Sequence, residues 1–114
     1  MLLLPDAVEA LSALAHEHRL AVFRLLVRAG ADGLPAGEIA RQLGVLPNTL
    51  SSHLTILGHA GLLQSRRDGR SVIYSADYDG MRDLLDFLVA DCCGGRPEIC
   101  APLAGVAPNR GESA

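Results

Sequence analysis

The sequence predicts a mainly α-helical domain with one small β-hairpin, and three observations carry that expectation. Apolar residues recur at helical spacing through four successive segments and again towards the C-terminal end. The period changes once, across residues 62–75, where two short runs flank Asp68-Gly69. Gly or Pro stands near most boundaries between these segments: Pro5, Gly30, Gly44, Pro47, Gly61 and Gly94-Gly95.

Each element follows from its own residues. Residues 6–15 put Val8, Leu11, Leu14 and Ala15 at helical spacing, with Asp6 as N-cap after Pro5. Residues 17–29 place Leu20, Phe23, Leu26 and Val27 on one face and Arg19, Arg24 and Arg28 on others, and Gly30 ends that helix. The stretch ADGLP reads as a loop. A short helix over 36–43 turns Ile39, Ala40 and Leu43 inward and stops at Gly44. A further helix starts at Pro47, a residue suited to the first helical position, and runs to about Ala60 with Leu50, Leu54 and Leu57 inward. Residues 62–67 and 70–75 read as strands joined at Asp68-Gly69, because a two-residue turn needs positive φ. From Tyr78 to about Cys93 the stripe Met81, Leu84, Leu85, Leu88, Val89 is helical, and Gly94-Gly95 break it. Residues 101–114 are rich in Pro, Gly and Ala and predict a disordered tail.

Composition bounds the class. A chain of 114 residues with 49% hydrophobic content and no Trp makes one domain with an aliphatic core. No apolar run approaches the ~18 residues of a membrane span. The start MLLLPDAVEA lacks a basic segment and is interrupted by Pro5 and Asp6, so it does not read as a signal peptide. The expectation is a cytoplasmic protein with reduced thiols.

The net charge of −3 conceals an uneven distribution. Residues 1–40 carry −2, residues 41–76 carry +3 and residues 77–114 carry −4. A basic middle third is the electrostatic footprint of a nucleic-acid surface inside an acidic chain. That third holds a short helix, a tight turn with Gly and a second short helix at 36–60, which is a helix-turn-helix pattern. With Leu50, Leu54 and Leu57 inward, Asn48, Thr49, Ser52, His53, Ile56 and His59 turn wholly or partly outward. Small hydrogen-bonding side chains at the start of such a helix suit base edges and phosphates in a major groove. Arg66, Arg67 and Arg70 lie around the hairpin tip, where they can reach a neighbouring minor groove or its phosphates.

These segments (LSALAHEHRLAVFRLL, GEIARQLGVLPNTLSSHLTILGHAGLL and RRDGRSVIYS) resemble the ArsR family of bacterial metal-responsive repressors over about residues 8–93. The most specific pieces are Ser51-x-His53-Leu54-x-x-Leu57, Ala60-Gly61-Leu62, and Asp68-Gly69-Arg70 with Tyr74. The resemblance implies a winged helix-turn-helix homodimer, paired through its first and last helices. It also implies a partly palindromic double-stranded operator, released when an inducer binds. By position it implies recognition-helix contacts from Asn48, Thr49, Ser51, Ser52 and His53, and wing contacts from Arg66, Arg67 and Arg70; for His53, helix packing or a phosphate contact is the alternative to base readout. Many members carry Arg or Gln where Ser52 and Pro47 stand, so the operator sequence does not transfer.

The three cysteines Cys92, Cys93 and Cys100 follow a thiol-free stretch of 91 residues. An odd count argues against a disulfide framework. Such a cluster points to a soft metal, a metalloid or an oxidant. Within the family, one arsenic site is a Cys-x-Cys pair ahead of the recognition helix, which this chain lacks. One zinc site uses Asp, Glu and His on the last helix, and residues 77–91 contain no His. What remains resembles the arsenic-responsive branch whose cysteines follow the last helix. Trivalent As or Sb forms three bonds to soft thiolates, which Cys92, Cys93 and Cys100 can supply. Adjacent helical residues diverge by about 100°, so convergence requires the helix to fray, which Gly94-Gly95 permit; Pro97 then helps return Cys100. A divalent Cd, Pb or Zn with Glu98 or water as fourth ligand is an alternative, as is a thiol-oxidation or sulfur-species sensor.

Two further readings bound the function. The thiols stand at a helix C-terminus, whose dipole raises a thiol pKa, which argues against a nucleophilic enzyme. A winged helix that binds protein rather than DNA is the other class. The pair His16-x-His18 is not read as a chelate, because residues two apart on a helix face different ways. The expected organisation is a DNA-binding and dimerisation domain over residues 1–93, an inducer segment over 92–100 and a tail over 101–114.

Overall fold

The structure, a computed structural model, describes residues 2–90. Cys92, Cys93, Cys100, the whole 92–100 segment and the 101–114 tail lie outside the described residues. The element order is α1 (Leu4–Leu14), α2 (Glu17–Ala29), β1 (Leu34–Pro35), α3 (Ala36–Leu43), α4 (Pro47–His59), β2 (Leu63–Asp68), β3 (Ser71–Ala76) and α5 (Tyr78–Val89). The chain forms one unit up to Leu84 and a second that begins at Leu85. Among the described residues no helix is long and apolar enough to cross a membrane.

Helix α1 starts earlier than expected. Leu3 is the N-cap and Pro5 falls in the first turn, while the Asp6 carboxylate accepts from the Leu3 N–H at 3.2 Å. Asp6 thus satisfies the helix start from inside it. The buried face is Ala7, Ala10 and Ala13, not the Val8-Leu11 face. Leu4 (65% exposed), Val8 (57%) and Leu11 face outward at i, i+4 and i+7. Small residues let α1 lie close against its neighbours and leave an apolar stripe unburied.

The α1–α2 junction is closed by side chains. Arg19 Nε donates to the Ala13 carbonyl at 2.6 Å, satisfying an end-of-helix acceptor. His16 caps α2, its Nδ1 accepting from the His18 N–H at 3.1 Å. Val22, Phe23 and Leu26 are buried on α2, and Leu20 is exposed, one step off the expected face.

Residues 34 and 35 form a strand, not a loop. β1 pairs antiparallel with β3 through Leu34↔Tyr74 and Pro35↔Ile73, giving a sheet of order β1-β3-β2. A two-residue strand offers no periodicity, so only the neighbouring strand defines it. Gly33 has φ +68°, and a Cβ there would collide with the Tyr74 carbonyl oxygen. The hairpin register pairs Asp68 with Ser71, so the turn residues are Gly69 and Arg70, one position later than expected. Gly69 takes φ +64° and Arg70 sits at the tip.

The turn between α3 and α4 is short because Gly44 adopts the left-handed conformation and Val45 N–H bonds the Ala40 carbonyl at 3.1 Å. Ile39, Val45, Leu50 and Leu57 are buried around it. Asp77 N–H donates to the Leu62 carbonyl at 2.9 Å, tying the end of β3 to the α4–β2 turn. The Asp77 carboxylate accepts from Gly80 N–H at 3.0 Å at the start of α5. In the second unit α5 continues to Val89, with Leu85 and Leu88 exposed.

Candidate nucleic-acid interface

Helix α4 presents its N-terminal turns outward. Asn48, Thr49, Ser51 and Ser52 are all exposed, and Pro47 opens the helix without an N–H of its own. The unpaired N–H groups of the first turn and the positive end of the helix dipole add to the capacity of this end to receive phosphate. The Thr55 hydroxyl bonds back to the Ser51 carbonyl at 3.0 Å and is thereby taken up within the helix.

His53 does not belong to this outward face. Its exposure is 6%, and it packs inward with Leu50, Leu54 and Leu57. Residues 50, 53, 54 and 57 are related by i, i+3, i+4 and i+7, so the inward face takes in position 53 together with the leucines. The expectation that His53 contacts DNA is therefore corrected by its burial. The signal was present in the spacing from Leu50, and the polarity of the residue obscured it.

On the wing, the three arginines part company. Arg66 Nη2 donates to the Asp32 carbonyl at 2.9 Å and its Nη1 to the Ala31 carbonyl at 3.4 Å. Its guanidinium thus ties β2 to the α2–β1 loop. Arg67, opposite Val72, and Arg70, at the turn, are exposed, with Asp68 between them in sequence. The Arg41 charge is answered locally, since its Nε donates to Glu38 Oε1 at 3.0 Å. Hydrogen bonds from Arg41 and then Gln42 hold the Glu38 carboxyl below the usual range, and Glu38 in turn raises the Arg41 pKa. The positive charge of the middle third accordingly lies on the wing, where Arg66 is held to the α2–β1 loop and Arg67 and Arg70 are exposed at the hairpin end.

Among the described residues no three His, Cys, Asp or Glu side chains converge as a metal site. The fold and this surface define a DNA-binding domain of the winged helix-turn-helix class. The family described as "Helix-turn-helix domain" matches residues 14–66, which run from the end of α1 into β2. The chain is 30% identical over 80 residues to the HTH-type transcriptional regulator YgaV of Escherichia coli, covering 70% of this chain and 79% of that protein. It is 31% identical to HlyU from Vibrio cholerae, with a TM-score of 0.60 over 74% of this chain and 91% of that one. It is 27% identical to a homodimeric winged helix-turn-helix DNA-binding domain from Mycobacterium bovis, a possible ArsR-family regulator (TM-score 0.64; 86% and 85% covered). This chain belongs to the ArsR-like winged helix-turn-helix transcriptional regulators, which are DNA-binding proteins and not enzymes.

Proposed function

We propose that this regulator is a homodimeric repressor of an arsenic-resistance operon, released from its operator when As(III) or Sb(III) binds Cys92, Cys93 and Cys100. The observation that carries the DNA half is the exposed hydrogen-bonding row Asn48, Thr49, Ser51 and Ser52 at the open end of α4. With Arg67 and Arg70 on the wing, it offers side chains suited to base edges and phosphates, which supports this reading. Self-association is supported by the outward stripe Leu4, Val8, Leu11 on α1, by exposed Leu85 and Leu88 on α5, and by the homodimeric M. bovis neighbour.

The sensing half rests on chemistry. All the thiols of the chain follow α5 within eleven residues of its end, and three thiolates match the valence of a trivalent metalloid. An inducer shifts the equilibrium only by its differential affinity for the DNA-bound and free states. A second reading is thiol oxidation at the same cysteines: one neighbouring structure is of reduced HlyU, 30% identical.

The test is a binding assay on the protein's own promoter with an inducer panel. Release by micromolar arsenite, absent with Cd, Pb or Zn and with mild oxidants, supports the metalloid reading. Release by an oxidant alone moves the function to the second reading, and no release by any member sinks both. HlyU of Vibrio cholerae is named a transcriptional activator, so the sign of regulation is read from the same promoter in a reporter strain.

A further inference from the structure

The inner face of α4 carries a polar side chain that the nucleic-acid surface does not use. Neither Nδ1 nor Nε2 of His53 has a hydrogen-bond partner among the described residues, although both are buried. A neutral imidazole carries one donor and one acceptor nitrogen, so this burial leaves both unanswered. Its aromatic neighbours are two more imidazoles. The His16 ring centroid lies 4.8 Å from that of His53, and the His18 centroid 5.9 Å away at a nearly edge-on 73°. His16 and His18 are 5.7 Å apart.

The expectation that His16 and His18 diverge assumed helical geometry for both. His16 is instead the extended N-cap of α2, with φ −152°, and this lets its ring lie beside those of His18 and His53. The α1–α2 junction thereby meets the recognition helix through three imidazoles. The elements packed against α4 are α1, α2, α3 and β2. The charged groups that act on His53 are His16, Arg19 and His18, all cationic when protonated. None of the carboxylates of those elements (Asp6, Glu9, Glu17, Glu38 and Asp68) hydrogen-bonds either nitrogen of His53.

We propose that the His16–His18–His53 contact is a proton-sensitive seat for the recognition helix. With His53 neutral, α4 is held against the α1–α2 junction; a proton taken from solvent onto His53 loosens that packing and weakens DNA binding. The imidazolium would present two N–H donors to two imidazoles and a guanidinium, with no carboxylate to receive them. Burial, then the charges of His16, Arg19 and His18, hold the His53 pKa below its ordinary value of 6.5. Above pH 6.5 both folded and unfolded chains keep His53 neutral and the seat contributes in full. As pH falls through 6.5 the unfolded chain takes up the proton first, and stability is lost until the lower folded-state pKa is passed.

This inference rests on the DNA-binding reading for its output but not for the seat itself, and the experiment has separate arms. Urea unfolding of the full chain from about pH 8 to 5 is compared for wild type, His53→Leu and His53→Gln. The wild-type midpoint falls below pH 6.5 and the two variants lack that component. Parallel profiles, or a wild-type midpoint that rises in acid because His53 shares its proton with His16, overturn the seat. On the unmodified chain the His53 ring-proton resonance titrates below 6.5, and titration at or above that value overturns it as well. The second arm measures anisotropy on a random-sequence duplex. Protonating exposed histidines adds positive charge and tightens non-specific binding in acid. Wild type shows the opposite sign, and His53→Leu restores the tightening. Equal tightening in both overturns the coupling to DNA. Absence of binding by every form at every pH overturns the nucleic-acid reading and that coupling, while the unfolding arm decides the seat.

Discussion

The guanidinium of Arg66 donates to the backbone carbonyl of Asp32, 2.9 Å away and 34 residues earlier, so a residue in the basic wing is a structural tie. Arg66→Ala is expected to lower stability by about 0.5–1.5 kcal/mol, the usual net worth of such hydrogen bonds. Arg67→Ala and Arg70→Ala are expected to leave the unfolding midpoint unchanged. Each weakens DNA binding across sequences and reduces the salt slope by about one. Urea melts and salt-dependent binding on the three variants separate the two roles. A destabilised Arg70→Ala would contradict the assignment.

Two glycines with opposite surroundings give a paired prediction. A Cβ on Gly80 would run into the carbonyl oxygen of Gly61, whereas one on Gly58 meets nothing within 4 Å. Gly80→Ala is expected to cost about 1–3 kcal/mol, because backbone has little room to yield. Gly58→Ala, in the last turn of α4, is expected to stabilise by about 0.5–1 kcal/mol through helix propensity. Thermal unfolding of both variants beside wild type reads the difference in sign.

Tyr78 provides a cleaner measure of one hydrogen bond. Its hydroxyl donates to the Val27 carbonyl at 2.9 Å, linking the start of α5 to the last turn of α2. Tyr78→Phe keeps the ring and leaves an end-of-helix acceptor without that donor. A loss of about 1 kcal/mol is expected in urea unfolding, with DNA affinity retained under conditions where the variant is folded.

The cysteines separate sensing from folding. Cys92→Ser, Cys93→Ser and Cys100→Ser are each expected to keep wild-type promoter affinity and lose release by arsenite. Promoter binding with and without arsenite checks both halves. Loss of DNA binding in the metal-free state would make the cysteines structural instead.

The helix-turn-helix was legible because its signals are local. Gly44 as a left-handed cap, Pro47 as a helix opener and the leucines at 50, 54 and 57 each act through their own turn of chain. Gly69 made the hairpin legible for the same reason, though the register moved the turn by one residue. Other features were set by partners distant in sequence. Strand β1 exists because Tyr74 and Ile73 lie alongside Leu34 and Pro35. Val8 and Leu11 looked like core by composition, yet alanines won the inner face of α1. Hydrophobicity says that a face will be covered, and close helix packing decides which face is covered within one chain.

Period, capping residues and turn chemistry therefore determined the class of this protein: a helix-turn-helix, an arginine-tipped hairpin and a thiol cluster after the last helix. Tertiary structure alone decided that Arg66 serves the fold and that His16, His18 and His53 meet. The physical reason is separation along the chain. A cap or a turn acts within four or five residues, whereas His16 and His53 stand 37 positions apart and become neighbours only when α4 packs against the α1–α2 junction.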